Sequence, residues 1–232
     1  MTQAPLIRVI DVSKTFRAGS GEVVALAGAS LDVTSGEFVA LMGPSGSGKT
    51  TLLNLIGCLD RPSSGEILFR DKKVSALSQT QLSDERLRHI GFIFQDYNLI
   101  PTLSILENVE YVLWLQGVGA AERRRRATAE LIRVGLEKQI QRRPNALSRG
   151  QQQRVAVARA IVHRPSVVLG DELTANLDHK TGEELMDFLK ELNQKEKITF
   201  LYATHDPVMI RRAGRTVQLL DGKIIRDERN PL

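Results

Sequence analysis

The sequence is poor in cysteine and has no long apolar run, and each absence excludes a class of protein. Cys58 is the single cysteine among 232 residues, so an internal disulfide framework and a metal site built from several cysteines are excluded. No stretch approaches the roughly 20 consecutive apolar residues that a bilayer-spanning helix needs. The opening residues, Met1–Lys14, lack the layout of a secretory signal peptide. We therefore expect a reducing, cytosolic setting.

The composition is that of an ordinary globular protein, with 42% hydrophobic residues, 25% charged residues and a formal net charge of +5. A chain of this length can bury roughly 70–75% of its unfolded surface, which is enough for one domain with or without a subdomain. A disordered chain and a fibrous protein are both excluded by this balance.

Positive charge is concentrated in one part of the chain. Residues 120–165 contain twelve Lys or Arg against three Asp or Glu, a net of +9, whereas the remaining residues sum to −4. Such a block can contact nucleic acid, anionic lipid headgroups or acidic protein loops, or it can be a solvated helix face. Because it lacks interleaved aromatic residues for base stacking, we expect no nucleic-acid partner.

Short apolar runs rich in β-branched residues recur along the chain, and several are followed by helical patterns. This alternation predicts an α/β fold with a largely parallel, buried sheet. The runs are Leu6–Val12, Phe38–Met42, Ile90–Phe94, Val167–Gly170, Ile198–Ala203 and Thr216–Leu220. Two other early runs, Glu22–Val33 and Glu66–Phe69, are short, lie among Gly and Ser, and predict antiparallel strands.

The region between Asn98 and Arg164 contains no run that predicts a strand. Its pattern is helical, and prolines punctuate it. We therefore expect a single domain over residues 1–232, in which a helical subdomain, residues 98–165, is inserted into a core formed by residues 1–97 and 166–232.

A glycine-rich loop follows the predicted strand Phe38–Met42 and precedes a helical pattern that opens at Thr51. The loop consists of Gly43, Pro44, Ser45, Gly46, Ser47, Gly48, Lys49 and Thr50. The strand–loop–helix context favours a phosphate-binding loop over an accidental match, because its glycines let backbone N–H groups form an anion nest at a helix N-terminus. Lys49 can reach the β- and γ-phosphates, and the Thr50 hydroxyl can ligate Mg²⁺. The sequence predicts that the chain binds a nucleoside triphosphate.

Two acidic residues stand at the end of the predicted strand Val167–Gly170. Asp171, at the carboxyl end of a strand beside the phosphate loop, can hold the metal. Glu172 lies beyond the strand end, where it can polarise a water for in-line attack on the γ-phosphate. An Asp-Glu pair also occurs where a strand simply ends in polar residues and has no catalytic role. The phosphate loop upstream favours the catalytic interpretation here.

Further motifs occur at characteristic places after the phosphate loop. They are Gln95 after the strand Ile90–Phe94, the sequence LSRGQ at Leu147–Gln151 before a helix predicted over Gln152–Val162, Ala175–Asp178 shortly after Glu172, and His205 after the strand Ile198–Ala203. Ser148 stands where an N-cap belongs, and the helix beyond it presents a positive end that suits an anion. In this order and spacing the motifs resemble the ATPase subunit of ABC transporters, over essentially the whole chain.

The resemblance implies roles on the nucleotide side of the site. Gln95 would join the Mg²⁺ shell with Thr50 and Asp171, and would report the nucleotide state to a membrane partner. His205 would contact the γ-phosphate and position the attacking water. The aromatic ring of Phe16 would stack on adenine, a contact that needs only the ring face.

The resemblance places a second group of residues across a dimer. Ser148 and Gly150 would contact the γ-phosphate bound on the opposite subunit, within a signature that includes Gln151. Asp178 would communicate across the dimer. On the first subunit, Thr51 would complete the phosphate-binding set.

The fold implied by the resemblance is a RecA-like P-loop NTPase core with an N-terminal antiparallel β subdomain and an inserted helical subdomain. The implied activity is ATP hydrolysis with ATP and Mg²⁺ in a head-to-tail homodimer or pseudo-dimer. The implied partner is an integral membrane permease, which would hold the chain peripherally at the cytoplasmic face of the inner membrane.

Two positions depart from the family pattern. Arg149 replaces the usual glycine at the third signature position, and Leu173 replaces the usual proline after Glu172. Neither change removes a catalytic group. Leu173 loses the fixed φ that would stiffen the segment after Glu172, so both changes bear on the turnover rate more than on the mechanism.

A narrower likeness points to the lipoprotein-releasing and macrolide-efflux branch of the family. It rests on Gly57–Gly65, Ile90–Gln95 and Asn98–Asn108. An ABC ATPase that regulates a periplasmic or cell-division process without carrying cargo is the alternative, since the membrane subunit makes that difference. A soluble repair or translation ATPase and a kinase fit less well, because the chain has neither long coiled-coil insertions nor a second ATPase domain, and a kinase does not need Leu147–Gln151.

Overall fold

The structure is a computed structural model that describes residues 4–18 and 21–230. The strands within those residues are β1 (Ile7–Ala18), β2 (Gly21–Val33), β3 (Phe38–Met42), β4 (Ser64–Phe69), β5 (Lys72–Lys73), β6 (Ile90–Ile93), β7 (Val167–Asp171), β8 (Thr199–Thr204), β9 (Arg215–Leu220) and β10 (Lys223–Arg229). The helices are α1 (Lys49–Ile56), α2 (Gln79–His89), α3 (Ile105–Leu115), α4 (Ala120–Arg133), α5 (Arg149–Ile161), α6 (His179–Glu196) and α7 (Pro207–Arg212).

The larger sheet has the strand order β10-β9-β3-β8-β7-β6 and is parallel except for β10, which pairs antiparallel with β9. Its inner strands are covered on both faces, which is why they are almost continuously apolar. Every residue of β8 is buried. Alternate side chains of β3 enter different cores, Val39 and Leu41 facing α1, and Phe38 and Ala40 facing α5 and α6.

The smaller sheet is antiparallel, with the strand order β2-β1-β4-β5. Its buried residues, among them Ile7 and Val9, join the same core as α1, so α1 lies between the two sheets. This arrangement confirms the α/β core with an antiparallel N-terminal part. The predicted strand Leu6–Val12 was wrongly grouped with the parallel runs, since it belongs to β1 and pairs antiparallel with both neighbours.

Residues 98–165 contain α3, α4 and α5 and, within this described stretch, no strand. These three helices share a core that includes Leu106, Val109, Leu131 and Val155. The opposite side of α5 packs on the larger sheet through Val157 and neighbouring residues. Helix α5 is therefore the structural link between the helical region and the sheet.

Helix α5 begins three residues earlier than the predicted start at Gln152. The Ser148 side chain accepts a hydrogen bond from the Gln151 backbone N–H, and the Gln151 side chain accepts one from the Ser148 N–H. This capping box fixes the first turn at Arg149. None of the helices in the described residues is long and apolar enough to cross a membrane.

Candidate functional site

Three strand ends meet at one edge of the larger sheet. Because β3, β8 and β7 are parallel neighbours, Met42 pairs with Thr204 and Ala203 pairs with Asp171. The chain continues from these ends into the glycine-rich loop, His205 and Glu172, respectively. Met42 and Thr204, which are 162 positions apart, are thus brought together at the edge where parallel α/β sheets bind ligands.

The glycine-rich loop has a backbone that side chains would not permit. Gly43 has φ +152°, and a Cβ there would lie 2.2 Å from the Leu219 carbonyl oxygen. Gly48 has φ +103° and forms the N-cap of α1 with no side-chain cap hydrogen bond. The first N–H groups of α1 are therefore not taken by a capping side chain, as an anion site at a helix N-terminus requires.

Lys49 lies folded against the loop that precedes it. Its Nζ donates to the carbonyl oxygens of Gly43, at 2.8 Å, and Pro44, at 2.9 Å, and the residue is only 7% exposed. The nearby Ser47 hydroxyl is buried and, within residues 4–18 and 21–230, has no hydrogen-bond partner. The loop thus holds a cation and an unused hydroxyl beneath a concave backbone, which suits a polyphosphate.

Asp171 and Thr50 come together from β7 and α1. The Thr50 hydroxyl donates to Oδ1 of Asp171 at 3.2 Å. Burial raises the pKa of Asp171 above its ordinary value and the adjacent Glu172 charge adds to this, whereas the Thr50 hydrogen bond and Lys49 lower it. A cation at this position would favour the ionised carboxylate.

The residues present fit Mg²⁺. Among the described residues there is no group of three or more His, Cys, Asp or Glu that could hold a metal by itself. A hydroxyl and a carboxylate side by side are instead the hard oxygen ligands that Mg²⁺ takes from a protein when phosphates and water supply the others. Thr50 and Asp171 would hold the ion, and Gln95 lies on the wall of the same cleft.

Glu172 and His205 form a direct pair. Nδ1 of His205 lies 2.8 Å from Oε1 of Glu172, and the Glu172 N–H donates to the Ala203 carbonyl oxygen at 3.1 Å. Glu172 has φ +48°, a conformation uncommon for a residue with a side chain. The backbone of Glu172 is thus held in a strained geometry that aims its side chain at the imidazole.

A cleft of about 720 Å³ opens over these groups, and we call it the nucleotide cleft. It is lined by Phe16, Val23, Val24, Ala25, Pro44, Ser45, Gly46, Gly48, Lys49, Thr50, Thr51, Gln95, Asp171, Glu172, Ala175 and His205. Gly43 and Ser47 belong to the glycine-rich loop but are not on the wall of this cleft. The other predicted nucleotide-side residues are therefore brought together in one place.

One end of the nucleotide cleft is an apolar platform. Phe16 of β1 pairs with Val23 of β2, and Phe16, Val23 and Val24 are 42%, 54% and 57% exposed. The Lys14 ammonium lies 5.0 Å from the centre of the Phe16 ring. Phe16 was predicted from the sequence, and the two valines were not.

The signature residues line a different cleft, of about 450 Å³, which we call the signature cleft. Its wall consists of Ser148, Arg149, Gly150, Gln151, Arg154, Asn176, Leu177, Asp178, Thr181 and Glu184. Asp178 is the N-cap of α6, since its carboxylate accepts from the Thr181 N–H and hydroxyl at 3.0 Å and 2.6 Å. In the part of the chain that the structure describes, the two clefts share no lining residue.

The chain is similar to a known protein family and to relatives from other organisms. The family described as ABC transporter matches residues 21–175, which is more than half of the chain. An ABC transporter ATP-binding protein of Thermotoga maritima is 46% identical, over 97% of this chain and 95% of the relative. The chain belongs to the ABC transporter family. As an ABC ATPase it binds and hydrolyses ATP with Mg²⁺.

Solved structures resemble this ABC ATPase along its length. A dimeric cassette described as a post-hydrolysis state of MJ0796 bound to ADP and Pi has a TM-score of 0.91 and 42% identity, over 97% of this chain and 100% of that one. Macrolide export ATP-binding/permease protein MacB of Syntrophobacter fumaroxidans is 47% identical over 94% of the chain. The ABC ATPase spans only 31% of that MacB protein.

The two departures from the family pattern have different surroundings in this ABC ATPase. Arg149 is exposed on the wall of the signature cleft. Leu173 is buried, its carbonyl oxygen accepts from the Gln153 side chain at 2.7 Å, and its side chain fills the space that a Cβ at Gly170 would need. Packing and this hydrogen bond hold the segment after Glu172 where a proline ring would otherwise do so.

Proposed function

We propose that this ABC ATPase hydrolyses ATP in a head-to-tail dimer, in which the nucleotide cleft of one chain is completed by the signature cleft of another. The observation that carries the proposal is the separation of the two clefts, because a single chain presents each of them open and unshared. A two-fold axis would complete two identical sites at once. The dimeric state of the MJ0796 cassettes supports this arrangement.

The chemistry follows from the residues on the nucleotide side. Mg²⁺ held by Thr50 and Asp171 would neutralise phosphate charge as the transferred group leaves. Lys49 would exchange its bonds to the Gly43 and Pro44 carbonyl oxygens for phosphate oxygens. Glu172 would accept the proton of the attacking water, with His205 holding the carboxylate in place.

The signature cleft of the partner chain would supply hydrogen-bond donors for the γ-phosphate that the nucleotide cleft of a single chain does not provide. Ser148 is exposed at the N-terminus of α5, where the hydroxyl and the helix dipole favour an anion. Gly150 is the second residue of the same helix, and its N–H belongs to the first turn, where backbone donors have no partner within the helix. These groups would close over the γ-phosphate on the partner chain.

Replacing Ser148 by Arg tests the dimer with a matched control in the same chain. Ser78 caps α2 with a capping box to Gln81, just as Ser148 caps α5 with a capping box to Gln151. Both Ser148→Arg and Ser78→Arg remove a cap, which costs about 1 kcal/mol of stability. Only Ser148→Arg should lower ATP turnover, by about 100-fold or more, because it alone places bulk and charge at the proposed interface.

Steady-state turnover and the binding of a fluorescent ATP analogue measure the two effects separately. Ser148→Arg should keep nucleotide affinity within about threefold of the unchanged chain, since the nucleotide cleft is intact. Equal loss of turnover in the two variants would refute the dimer assignment, because it would trace the loss to the missing cap.

We further propose that the dimer drives a separate membrane permease of the macrolide-export or lipoprotein-release type, which would place it at the cytoplasmic face of the membrane. The MacB relatives support this partner, because their names combine an ATP-binding part with a permease part. The ABC ATPase spans only about a third of their length. A groove of about 200 Å³ beside Gln95 would receive a permease segment. Its apolar wall includes Phe92 and Phe94, whose rings stack at 5.4 Å, and Val112 of α3.

Helix α3 continues that apolar surface outward. Tyr111, Trp114 and Leu115 are 40%, 56% and 50% exposed, and the rings of Tyr111 and Trp114 lie 5.7 Å apart. The four arginines at 123–126 are instead engaged within the chain, with Glu110, Glu122 and the carbonyl oxygens of Val118 and Val162. All four guanidinium groups therefore have hydrogen-bond partners within the chain, and three of these contacts tie α4 to residues outside it.

Trp114 is the sole tryptophan, so it provides a single probe of permease docking. In a chain labelled with 5-fluorotryptophan, the one ¹⁹F resonance should shift and broaden when the permease in nanodiscs is added, because the ring leaves water. Empty nanodiscs are the control for lipid contact. A complex that forms while the resonance stays unchanged would place the permease on another surface.

A further inference from the structure

Gln95 lies in a segment between β6 and α3, residues 94–100, and side chains from three other parts of the chain hold this segment in place. After β6 ends at Ile93, the chain takes positive φ at Tyr97, +60°, and Asn98, +46°. Asparagine adopts this conformation readily, whereas for Tyr97 it is uncommon and has to be held by surrounding contacts. Three side chains, which we call anchors, form hydrogen bonds to the backbone of this segment: Arg159, Asn176 and Asn108. None of these contacts was predicted from the sequence.

The first anchor is Arg159 of α5. Its Nη2 donates to the Tyr97 carbonyl oxygen at 2.7 Å and its Nη1 to the Asn98 carbonyl oxygen at 2.6 Å. One planar guanidinium thus holds two consecutive peptide groups, which a lysine could not do with the same geometry.

Arg159 carries its charge without an acidic partner. Within the described ranges Arg159 has no salt-bridge partner, and burial lowers the pKa of its guanidinium to about 10. A half-buried cation of this kind loses part of its hydration, and its hydrogen bonds compensate for that loss. The Tyr97 and Asn98 carbonyl oxygens are the hydrogen-bond acceptors that the guanidinium finds there.

The other two anchors hold the ends of the segment. Asn176, in the stretch after Glu172, donates from Nδ2 to the Gln95 carbonyl oxygen at 3.0 Å. Asn108 of α3 accepts from the Ile100 N–H at 2.7 Å and donates to its carbonyl oxygen at 3.1 Å. Gln95 itself is exposed on the wall of the nucleotide cleft.

We propose that Arg159, together with Asn176, is a positioning residue that sets where Gln95 stands in the nucleotide cleft. Helix α5 carries Ser148 at its N-terminus and Arg159 in its last turn, so the helix that begins at the signature cleft also holds the segment of Gln95. A role for Gln95 at the metal position rests on the proposed function, whereas the holding of the segment by Arg159 does not.

Hydrogen exchange of the nucleotide-free chain tests the positioning directly. The N–H groups of Tyr97, Asn98 and Ile100 are hydrogen-bonded, so their exchange reports opening of the segment. Arg159→Lys should speed their exchange roughly three- to tenfold, as expected for losing one hydrogen bond, and leave β7 unchanged. Arg126→Lys is the matched control, because Arg126 also donates to a backbone carbonyl oxygen, that of Val162, away from the segment. Exchange in Arg159→Lys no faster than in Arg126→Lys would overturn the proposal.

A double-mutant cycle with Gln95→Ala tests whether the effect runs through Gln95. Arg159→Lys should raise the Mg²⁺ concentration for half-maximal turnover roughly three- to tenfold, and should add nothing in the Gln95→Ala background. An equal shift in both backgrounds would overturn the proposal.

If Arg159→Lys fails to fold, Asn176→Ala provides the exchange test. Faster exchange of the segment is expected in that variant, and unchanged exchange would contradict the proposal. Loss of the dimer proposal would show instead as full turnover in Ser148→Arg, with the exchange result unaffected.

Discussion

Replacing Glu172 by Gln should abolish ATP turnover while leaving Mg-ATP binding intact. The amide keeps the shape of the side chain and a hydrogen-bond acceptor for His205, which lies 2.8 Å from Oε1 in the unchanged chain. It cannot take a proton from water, however, and a positioned general base contributes about 10²- to 10⁴-fold. Turnover should therefore fall by that factor, with an ATP dissociation constant changed by less than about threefold.

The same variant should accumulate as a dimer, since the uncleaved γ-phosphate keeps the two chains together. Light scattering in Mg-ATP should give twice the chain mass of 25.8 kDa, and the mass should return to that of one chain in ADP. Glu191→Gln is the control, because Glu191 is an exposed α6 residue that pairs with Lys195, away from both clefts. Unchanged turnover in Glu172→Gln would remove Glu172 from the role of base.

Replacing Lys49 by Ala should produce the second large effect, on nucleotide binding itself. The ammonium is nearly buried under the loop, and it would exchange its hydrogen bonds to two loop carbonyl oxygens for charge-assisted bonds to the phosphates. A charge-assisted hydrogen bond of this kind contributes about 1.5–3 kcal/mol, which is roughly 10- to 150-fold in affinity.

Calorimetric titration with Mg-ATP measures that loss. Lys73→Ala, at an exposed lysine of β5 that pairs with Glu66, should bind like the unchanged chain. Lys49 also links Gly43 and Pro44, so its removal should lower the melting temperature by a few degrees, as expected for about 1 kcal/mol. Undiminished affinity in Lys49→Ala would refute the assignment of the phosphate loop.

Much of the fold could be predicted because the inner strands carry their signal locally. The run Phe38–Met42 is apolar throughout, as a strand covered on both faces must be, and the predicted and observed bounds agree. The region 98–165 was predicted as helical for the same kind of reason, since its apolar periodicity matches a core shared by three helices. The local pattern of apolar residues was therefore sufficient to predict those elements that are buried on one or two faces.

Other elements have weaker or less direct signals in the sequence. Helix α2 has one buried residue, Leu82, so it shows little apolar periodicity. The strand β10 is mostly exposed, and the available signal was the Asp221-Gly222 turn, where both residues have positive φ. Strand β1 was grouped with the wrong sheet because an apolar run does not reveal which strand it will pair with.

The site divides in the same way. The phosphate loop, Asp171 and Glu172 could be predicted because their chemistry requires particular residues next to a strand end. The contacts of Arg159 and Asn176 could not be predicted, because their partners are backbone carbonyl oxygens, which every residue has. The apolar platform at Val23 and Val24 depended on the register of β1 with β2, which a single sequence does not specify.

Mixing two inactive variants tests most directly whether two chains share each site. In a mixed dimer of Lys49→Ala and Ser148→Arg, one site combines the intact Lys49 of one chain with the intact Ser148 of the other, and the second site has lost both. The mixture should therefore hydrolyse ATP well above the mean of the separate variants, at roughly a quarter of the unchanged rate if chains exchange freely and each complete site acts alone. Turnover equal to that mean would contradict the shared site.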